Sequence, residues 1–365
     1  MTLTSERHVE QRDALLGRVL DATLGAFDLL AIHLGLDLGL YEALASGGPT
    51  TAPDLAGRAR IDARYAREWL EQQAVTGILT VDDVAAPPDE RRYSLPAGHA
   101  EALLDLDSLG SVQSMPRSIV SAARALPTIV AAYRSGDGVG WADYPGLIEA
   151  QEVANRPAFK HLLSQAWLPA IPDVEARLRS APPARVADLA CGAGWSSIAL
   201  ARGYPLAHVD GLDIDPESIE RARRNAVAEG VGEDRLRFHL SDASQPDLAG
   251  RYDLVTIFEA VHDLSQPVQV LAAARRLLAP GGTVIVADEK VAESFTAPGD
   301  EIERLMYGYS LVFCLANGLV DKPSVGTGTV IRPETLRTYA TAAGFTGFAI
   351  LPIEHDTFRF YRLDP

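Results

Sequence analysis

Three observations predict a doubly wound α/β fold with a mostly helical N-terminal region for this chain of 365 residues. From residue 184 onward, short β-branched runs alternate with helix-forming stretches, the pattern of a parallel sheet covered by helices. The first run ends in a glycine turn, "VADLACGAG", which leads directly into a helix. The last two runs, "GFAILPIE" and "TFRFYRL", are separated by about two residues near His355 and Asp356, a link short enough to predict an antiparallel hairpin.

The elements follow in order. "LLGRVLDATLGAFDLLAIHLGLDLGLYEALA" is apolar around most of a helix, which implies burial on more than one side and points to a subunit interface. "TTAPDLAGRARIDARYAREWLEQQAVTGIL" reads as two helices, the first begun by Thr51 or Asp54 and the second capped by Asp62. Two short extended pieces follow in "LTVDDVAAPPDERRYSLP". Helix, helix and hairpin make the pattern of a winged helix-turn-helix over residues 1–107.

Such a fold raises the possibility of DNA binding, and charge argues against it. Residues 1–107 hold nine Arg and Lys against eighteen Asp and Glu, the wrong sign for a surface that reads phosphates. The second helix carries Arg64 and Arg67 but also Glu68 and Glu71. Dimerisation is the better use for this region. The whole chain, at a formal net charge of −16, also disfavours anionic membranes as well as nucleic acid.

Residues 108–180 are expected to form a helical linker or cap. Tyr133, Trp141 and Tyr144 flank a Gly-rich turn there, and Phe159, His161 and Trp167 follow. Each one alone is most simply core packing. As a group they are candidates for the roof of an acceptor pocket. Pro182-Pro183 then opens the third region, 181–365.

Two cysteines, Cys191 and Cys314, offer neither a disulfide framework nor metal spacing, so a reducing cytoplasm is the default. No signal peptide is expected, nor any apolar run long enough to span a bilayer.

In the third region "RVADLA", "HVDGLDI", "LRFHL", "YDLVTIFE" and "TVIVAD" read as five strands, seven with the hairpin. Asp188, Asp213 and Asp242 end the first three, at the sheet edge where ligands converge. Asp213 has the spacing of a ribose-hydroxyl acceptor, and Asp242 could accept from an adenine amino group. Any one of these could be only a helix cap, but three successive strand ends beside a glycine turn form a specific signal. A dinucleotide fingerprint would want a glycine at Ser197 and no carboxylate at Asp188. A negative strand end suits a ligand with a positive group, as in S-adenosylmethionine with its ammonium and sulfonium.

On these residues the third region resembles the class I methyltransferases that use S-adenosylmethionine, with a Rossmann-like sheet. The turn departs from the usual acidic-x-Gly-x-Gly-x-Gly only in having Ala190 at the first Gly position. The resemblance extends over the whole chain to the bacterial small-molecule O-methyltransferases, which place a winged-helix dimerisation domain and a helical cap before the catalytic domain. It implies a homodimer that methylates a small molecule, with S-adenosylhomocysteine as product. The cofactor would be held by Asp188, Cys191, Gly192, Gly194, Asp213, Ile214, Asp242, Ala243 and Phe258. Tight packing in the turn accounts for Cys191 better than reactivity does.

In that family a His-Asp-Trp motif after the fourth strand carries the general base. "FEAVHDLSQP" places His262-Asp263 there, with Leu264 where Trp is common. An imidazole suits a phenol or enol oxygen. The bland alternative is that His262 caps the following helix and lines the site. Leu264 leaves carbon and nitrogen acceptors open. Glu289 could orient the imidazole or the substrate, and Glu259 is a fallback carboxylate. No metal is expected, since His262 and Glu259 alone do not make a site. In "MYGYSLVFCLANG", Tyr307, Phe313, Cys314 and Asn317 would close the acceptor pocket, although core packing explains most of them equally well. A transcription regulator that senses S-adenosylmethionine through the winged helix is the rival outside the enzymes.

Overall fold

The computed structural model describes residues 3–248 and 251–365. Met1 and Thr2, on which the expectation of no signal peptide partly falls, lie outside the described residues. Contacts divide the chain into two compact units, Met1–Val120 and Ser121–Pro365.

The first unit begins with α1 (Leu3–Asp37), followed by α2 (Leu40–Gly47), α3 (Ala52–Ala59) and α4 (Ala63–Val75). Gly39, at φ 65°, provides the left-handed step between α1 and α2. Thr51 caps α3 by accepting from the Asp54 amide, and Asp62 caps α4 by accepting from Arg64 and Tyr65. β1 (Thr80–Val81) and β2 (Tyr93–Ser94) pair antiparallel as the expected wing, and α5 (Ala97–Leu104) follows. Leu40, Tyr41, Leu55, Trp69, Leu70 and Tyr93 form the core. The C-terminal part of α1 joins it, with the Trp69 indole donating to the Ala31 carbonyl at 2.9 Å.

The rest of α1 is different. Leu15, Leu16, Val19, Leu20, Leu24 and Phe27 are exposed on it. By length and composition Glu6–Asp37 is also apolar enough to cross a membrane, which corrects the expectation that no segment is. Within residues 19–36 only Asp21 and Asp28 are charged, too few to break an apolar run of that length.

α6 (Ser114–Ser135) starts among the residues of the first unit and continues into the second. There α7 (Leu147–Ala158) passes into a π-helical segment, Phe159–Trp167, before α8 (Pro172–Arg179). The sheet then alternates with helices: β3 (Arg185–Leu189), α9 (Trp195–Gly203), β4 (His208–Asp213), α10 (Pro216–Ala228), β5 (Leu236–Leu240), β6 (Tyr252–Phe258), α11 (Pro267–Leu277) and β7 (Leu278–Glu289). After β7 come α12 (Glu301–Tyr309), a π turn at Ser310–Cys314, α13 (Leu315–Gly318) and α14 (Pro333–Ala342). The chain ends in β8 (Gly347–Ile350) and β9 (Phe358–Asp364).

Among the described residues the sheet has seven strands in the order β5-β4-β3-β6-β7-β9-β8. β3 to β7 are parallel, and β9 runs antiparallel to both β7 and β8, so the fold class and the terminal hairpin are as expected. Alternate residues serve opposite cores. Val186, Val209, Leu254 and Ile285 face one, while Ala187, Leu212, Val255 and Val284 face the other. β8 is shorter than the sequence suggests and the link, 351–357, longer than two residues. Pro352 lacks the N–H that another ladder bond would need.

The chain order places β4 on one side of β3 and β6 on the other, which makes β3 the switch point of the sheet. Asp188 is level with Gly211 of β4 and with Thr256 of β6, so three strands end together beside the glycine turn.

Candidate active site

The glycine turn is built by opposite demands on its two glycines. Gly194 (φ 81°) leads into α9, and a Cβ there would lie 2.7 Å from the Phe238 ring and 2.8 Å from Ala222. Gly192 (φ 52°) has nothing within 4 Å of where its Cβ would be, so its backbone faces open space. No side chain caps α9, which leaves its first-turn amides to the turn and to whatever fills that space. Ala190 occupies a left-handed conformation at φ 55°, so the substitution at the first glycine position carries real backbone strain.

Asp188 is 1% exposed and does not present its charge to that space. One oxygen accepts from Ser196 and Ser197, both at 2.6 Å, and the other from Thr256 at 2.7 Å. Burial pushes its carboxyl pKa up, and the three hydroxyls pull it back. Its position is that of a brace joining β3, β6 and the first turn of α9, not of a counter-ion to a bound cation.

Asp213 accepts from the Gly192 amide at 2.8 Å and from the Asp215 amide at 2.9 Å, which ties the end of β4 to the turn. Burial raises its pKa, against those backbone donors. Ile214 and Asp242 are exposed beyond the strand ends, and Ala243 is partly buried against the core. Cys191 is buried in the turn, and burial followed by Asp213 and Asp188 holds its thiol protonated. Phe258 is buried with its ring 5.7 Å from Phe159.

At the ends of β6 and β7 the titratable groups converge. His262 lies in the 3-10 turn Val261–Asp263 and is 3% exposed. Its Nδ1 is 2.6 Å from Asp288 Oδ1, and its Nε2 is 3.3 Å from Asp263 Oδ1. Burial works against a charged ring, but Asp263 and Asp288 outweigh it and hold the pKa well above the usual histidine range.

Asp288, not Glu289, therefore orients the imidazole. Both were visible in "VADE", but the sequence alone does not decide which of two adjacent carboxyls turns towards the ring. Glu289 is 5% exposed and accepts no hydrogen bond from any described side chain or amide. Burial, then the neighbouring Glu259, raises its pKa well above the carboxylate range.

Glu259, at φ 53°, holds a left-handed conformation that a glutamate rarely adopts. Its Oε2 is buried without a hydrogen bond. Burial lifts its pKa to about 7, against the charge of His262 and the side-chain amides of Asn155 and Gln151. Those two amides were missed by sequence reasoning, although their spacing of four along α7 puts them on one helix face.

The π turn brings Cys314 to the same place. Ligand-type atoms of His262, Asp263 and Cys314 lie within 4.8 Å of one another, a trio among the described residues that could hold a metal. Burial and Asp263 push the Cys314 thiol up to about 12.

The expected pocket walls separate into two sets. Tyr144 is buried, donates to the Val312 carbonyl at 2.8 Å, and has its ring 5.3 Å from Phe313. Tyr133, 60% exposed, donates to the Leu311 carbonyl at 3.0 Å. Both hydroxyls thus hold carbonyls of the π turn, and Trp141 packs partly buried on the same cluster as Tyr144 and Phe313. Asn317 contacts the Val139 carbonyl at 3.5 Å, while Tyr307 is exposed beside Arg332. Trp167 is a correction. It is 2% exposed within the sheet core, with Phe360 at 4.9 Å and Phe159 at 6.0 Å, and fills the core instead of lining a pocket.

Comparison with known proteins bears on this geometry. Residues 182–319 match a family described as a methyltransferase domain, and residues 26–104 match one described as an Rv2258c-like winged HTH domain. A trans-aconitate 2-methyltransferase of Streptomyces avermitilis is 34% identical over 134 residues, 36% of this chain and 48% of that protein. The chain thus spans about half the length of this relative. A demethylmenaquinone methyltransferase of Thermus thermophilus is 35% identical over 175 residues, 45% of this chain and 75% of that one. Among solved structures, human N-acetylserotonin methyltransferase in complex with SAM has a TM-score of 0.72 at 18% identity, covering 96% of this chain and 97% of its own.

Proposed function

Since this chain belongs to the class I methyltransferase family, we propose that it transfers a methyl group from S-adenosylmethionine to a small-molecule acceptor, with oxygen the favoured nucleophile. One observation carries the reading: the open backbone of Gly192 and the Asp288–His262 pair lie at the same edge of one sheet. The turn backbone and Asp213 would hold the cofactor, with Ile214, Asp242 and Ala243 beyond the strand ends as its cover. When bound, the cofactor supplies a methyl group already activated by a sulfonium.

The protein's part is then alignment and proton removal. Asp288 accepts from Nδ1–H of His262 at 2.6 Å, which would leave Nε2 free to take the proton of the acceptor hydroxyl. The same carboxylate stabilises the imidazolium that results. Glu259 and Glu289 flank the acceptor. Tyr133, Trp141, Tyr144, Phe313 and Cys314 would shape its pocket.

We also propose a homodimer formed through residues 1–107, a cap over 108–180, a catalytic region over 181–365, and a cytoplasmic location. Leu264, where Trp is common, leaves a carbon or nitrogen acceptor open as the second reading. A winged-helix regulator that senses the cofactor is the reading outside the enzymes, and the excess of acidic groups in residues 1–107 weighs against it.

Calorimetry tests the proposal. S-adenosylmethionine and S-adenosylhomocysteine should bind, and Asp213→Ala should weaken both by about 1–3 kcal/mol, the worth of charge-assisted hydrogen bonds. Preferential binding of NAD would overturn it.

A further inference from the structure

The carboxyl groups at the ends of β6 and β7 outnumber the cations among them. Asp263 and Asp288 both interact with His262, whose single charge is already claimed. Glu259 and Glu289 remain. The first arrives from the end of β6 and the second from the end of β7; Glu259 raises the pKa of Glu289, and the His262 ring lowers that of both. Glu289 is 5% exposed. Glu259 Oε2 and Asp288 Oδ2 are buried without a partner. From α7 the uncharged amides of Gln151 and Asn155 act on Glu259, and from the π turn the thiol of Cys314 acts on His262.

Buried carboxyl oxygens without donors, as Glu259 Oε2 and Asp288 Oδ2 are, cost free energy unless something that complements them arrives. The missing complement is a compact positive group with several N–H donors. We infer that the acceptor carries a protonated amine and that Glu259 and Glu289 receive it beside the nucleophile. This rests on the methyltransferase reading and goes further by naming the chemical class of the substrate. An ammonium has three donors, enough for both glutamates with one to spare. It would also fix which end of the acceptor points towards His262, since its neutral end has no carboxylate to meet.

The test uses the full chain saturated with S-adenosylhomocysteine, so that no turnover occurs. Tyramine is compared with tyrosol, a neutral phenol of nearly the same shape, and the comparison is repeated for phenethylamine against phenethyl alcohol. Calorimetry should show each amine binding about tenfold or more tightly than its neutral counterpart, the scale of hydrogen bonds to a charged group. Glu289→Gln and Glu259→Gln should each reduce that preference to a few-fold or less. Because each removes a crowded charge, both variants should melt no lower than the parent at pH 8, so loss of preference is separable from loss of fold.

If no amine outperforms its neutral counterpart, or the preference survives in both variants, the inference is wrong. A thermal shift produced by Zn2+ or Mg2+ alone and abolished by Glu289→Gln would also overturn it, by assigning the carboxyls to a metal. Failure of S-adenosylhomocysteine to bind at all would refute the methyltransferase reading itself. Binding of S-adenosylhomocysteine without amine preference would refute only this inference.

Discussion

His262 sits between two carboxylates, and that placement determines its chemistry more than its identity does. Asp288 at 2.6 Å orients the ring, and Asp263 at 3.3 Å lies against the nitrogen that would receive the proton. Since both hold the ring's proton above the usual histidine range, the neutral form that can act as a base grows only as pH rises beyond neutrality. Turnover should therefore climb on the alkaline side, and His262→Ala should lower it by roughly a hundredfold or more with cofactor affinity nearly unchanged. If Glu259 were the base, the rise would centre near its pKa of about 7 and survive His262→Ala. A pH–rate profile of both proteins decides between them. At this scale, strand-end residues were legible because sequence spacing fixes where a strand stops. The recipient of each hydrogen bond was not, as Asp188 shows by turning to Ser196, Ser197 and Thr256.

The two π segments explain why the aromatic residues were harder to read than the sheet. Phe159–Trp167 and Ser310–Cys314 depart from the regular helical period, so spacing alone does not fix which way the side chains in them turn. Strand alternation has no such freedom, and the seven strands were recognisable from their apolar runs. Trp167 joins Phe159, Phe358 and Phe360 in the core, whereas Trp141 stays partly buried on the cluster beside the π turn. The two tryptophans should respond differently to truncation. Trp167→Ala should cost about 3–5 kcal/mol of stability, as large aromatic cavities do. Trp141→Ala should raise the Michaelis constant for the acceptor with nearly normal melting. A large melting loss for Trp141→Ala with normal kinetics at low temperature would make it a core residue too.

Two consequences concern the molecule as a whole. Glu259, Glu289 and His262 all bind their protons more tightly in the fold than at their ordinary values. Their stabilisation is complete below those ordinary values, near 4.5 for the glutamates and 6.5 for the histidine. It is lost as pH rises through the raised ones. The ligand-free protein should thus melt at a lower temperature at pH 8.5 than at pH 6, and Glu289→Gln should shrink the difference; a flat profile in the parent would remove the basis for the raised values. The second consequence concerns α1. Leu15, Leu16, Val19, Leu20, Leu24, Phe27, Leu30 and Leu34 are exposed along it, a larger apolar stretch than a lone soluble chain normally shows to water. The sequence predicts that this helix is covered, and points to a subunit interface as the cover. A second copy of the same helix is the proposed cover, and each exposed leucine buried there contributes on the order of 1.5–3 kcal/mol. Light scattering at micromolar concentration should give twice the chain mass. Leu20→Glu with Phe27→Glu should give the monomer mass while leaving the melting of the second unit in place, since neither residue belongs to a buried core cluster. Because α1 also has the length and composition to cross a bilayer, co-sedimentation with lipid vesicles supplies the opposing measurement. A parent protein that is monomeric in solution and pellets with vesicles would assign the helix to a membrane and end the dimer proposal.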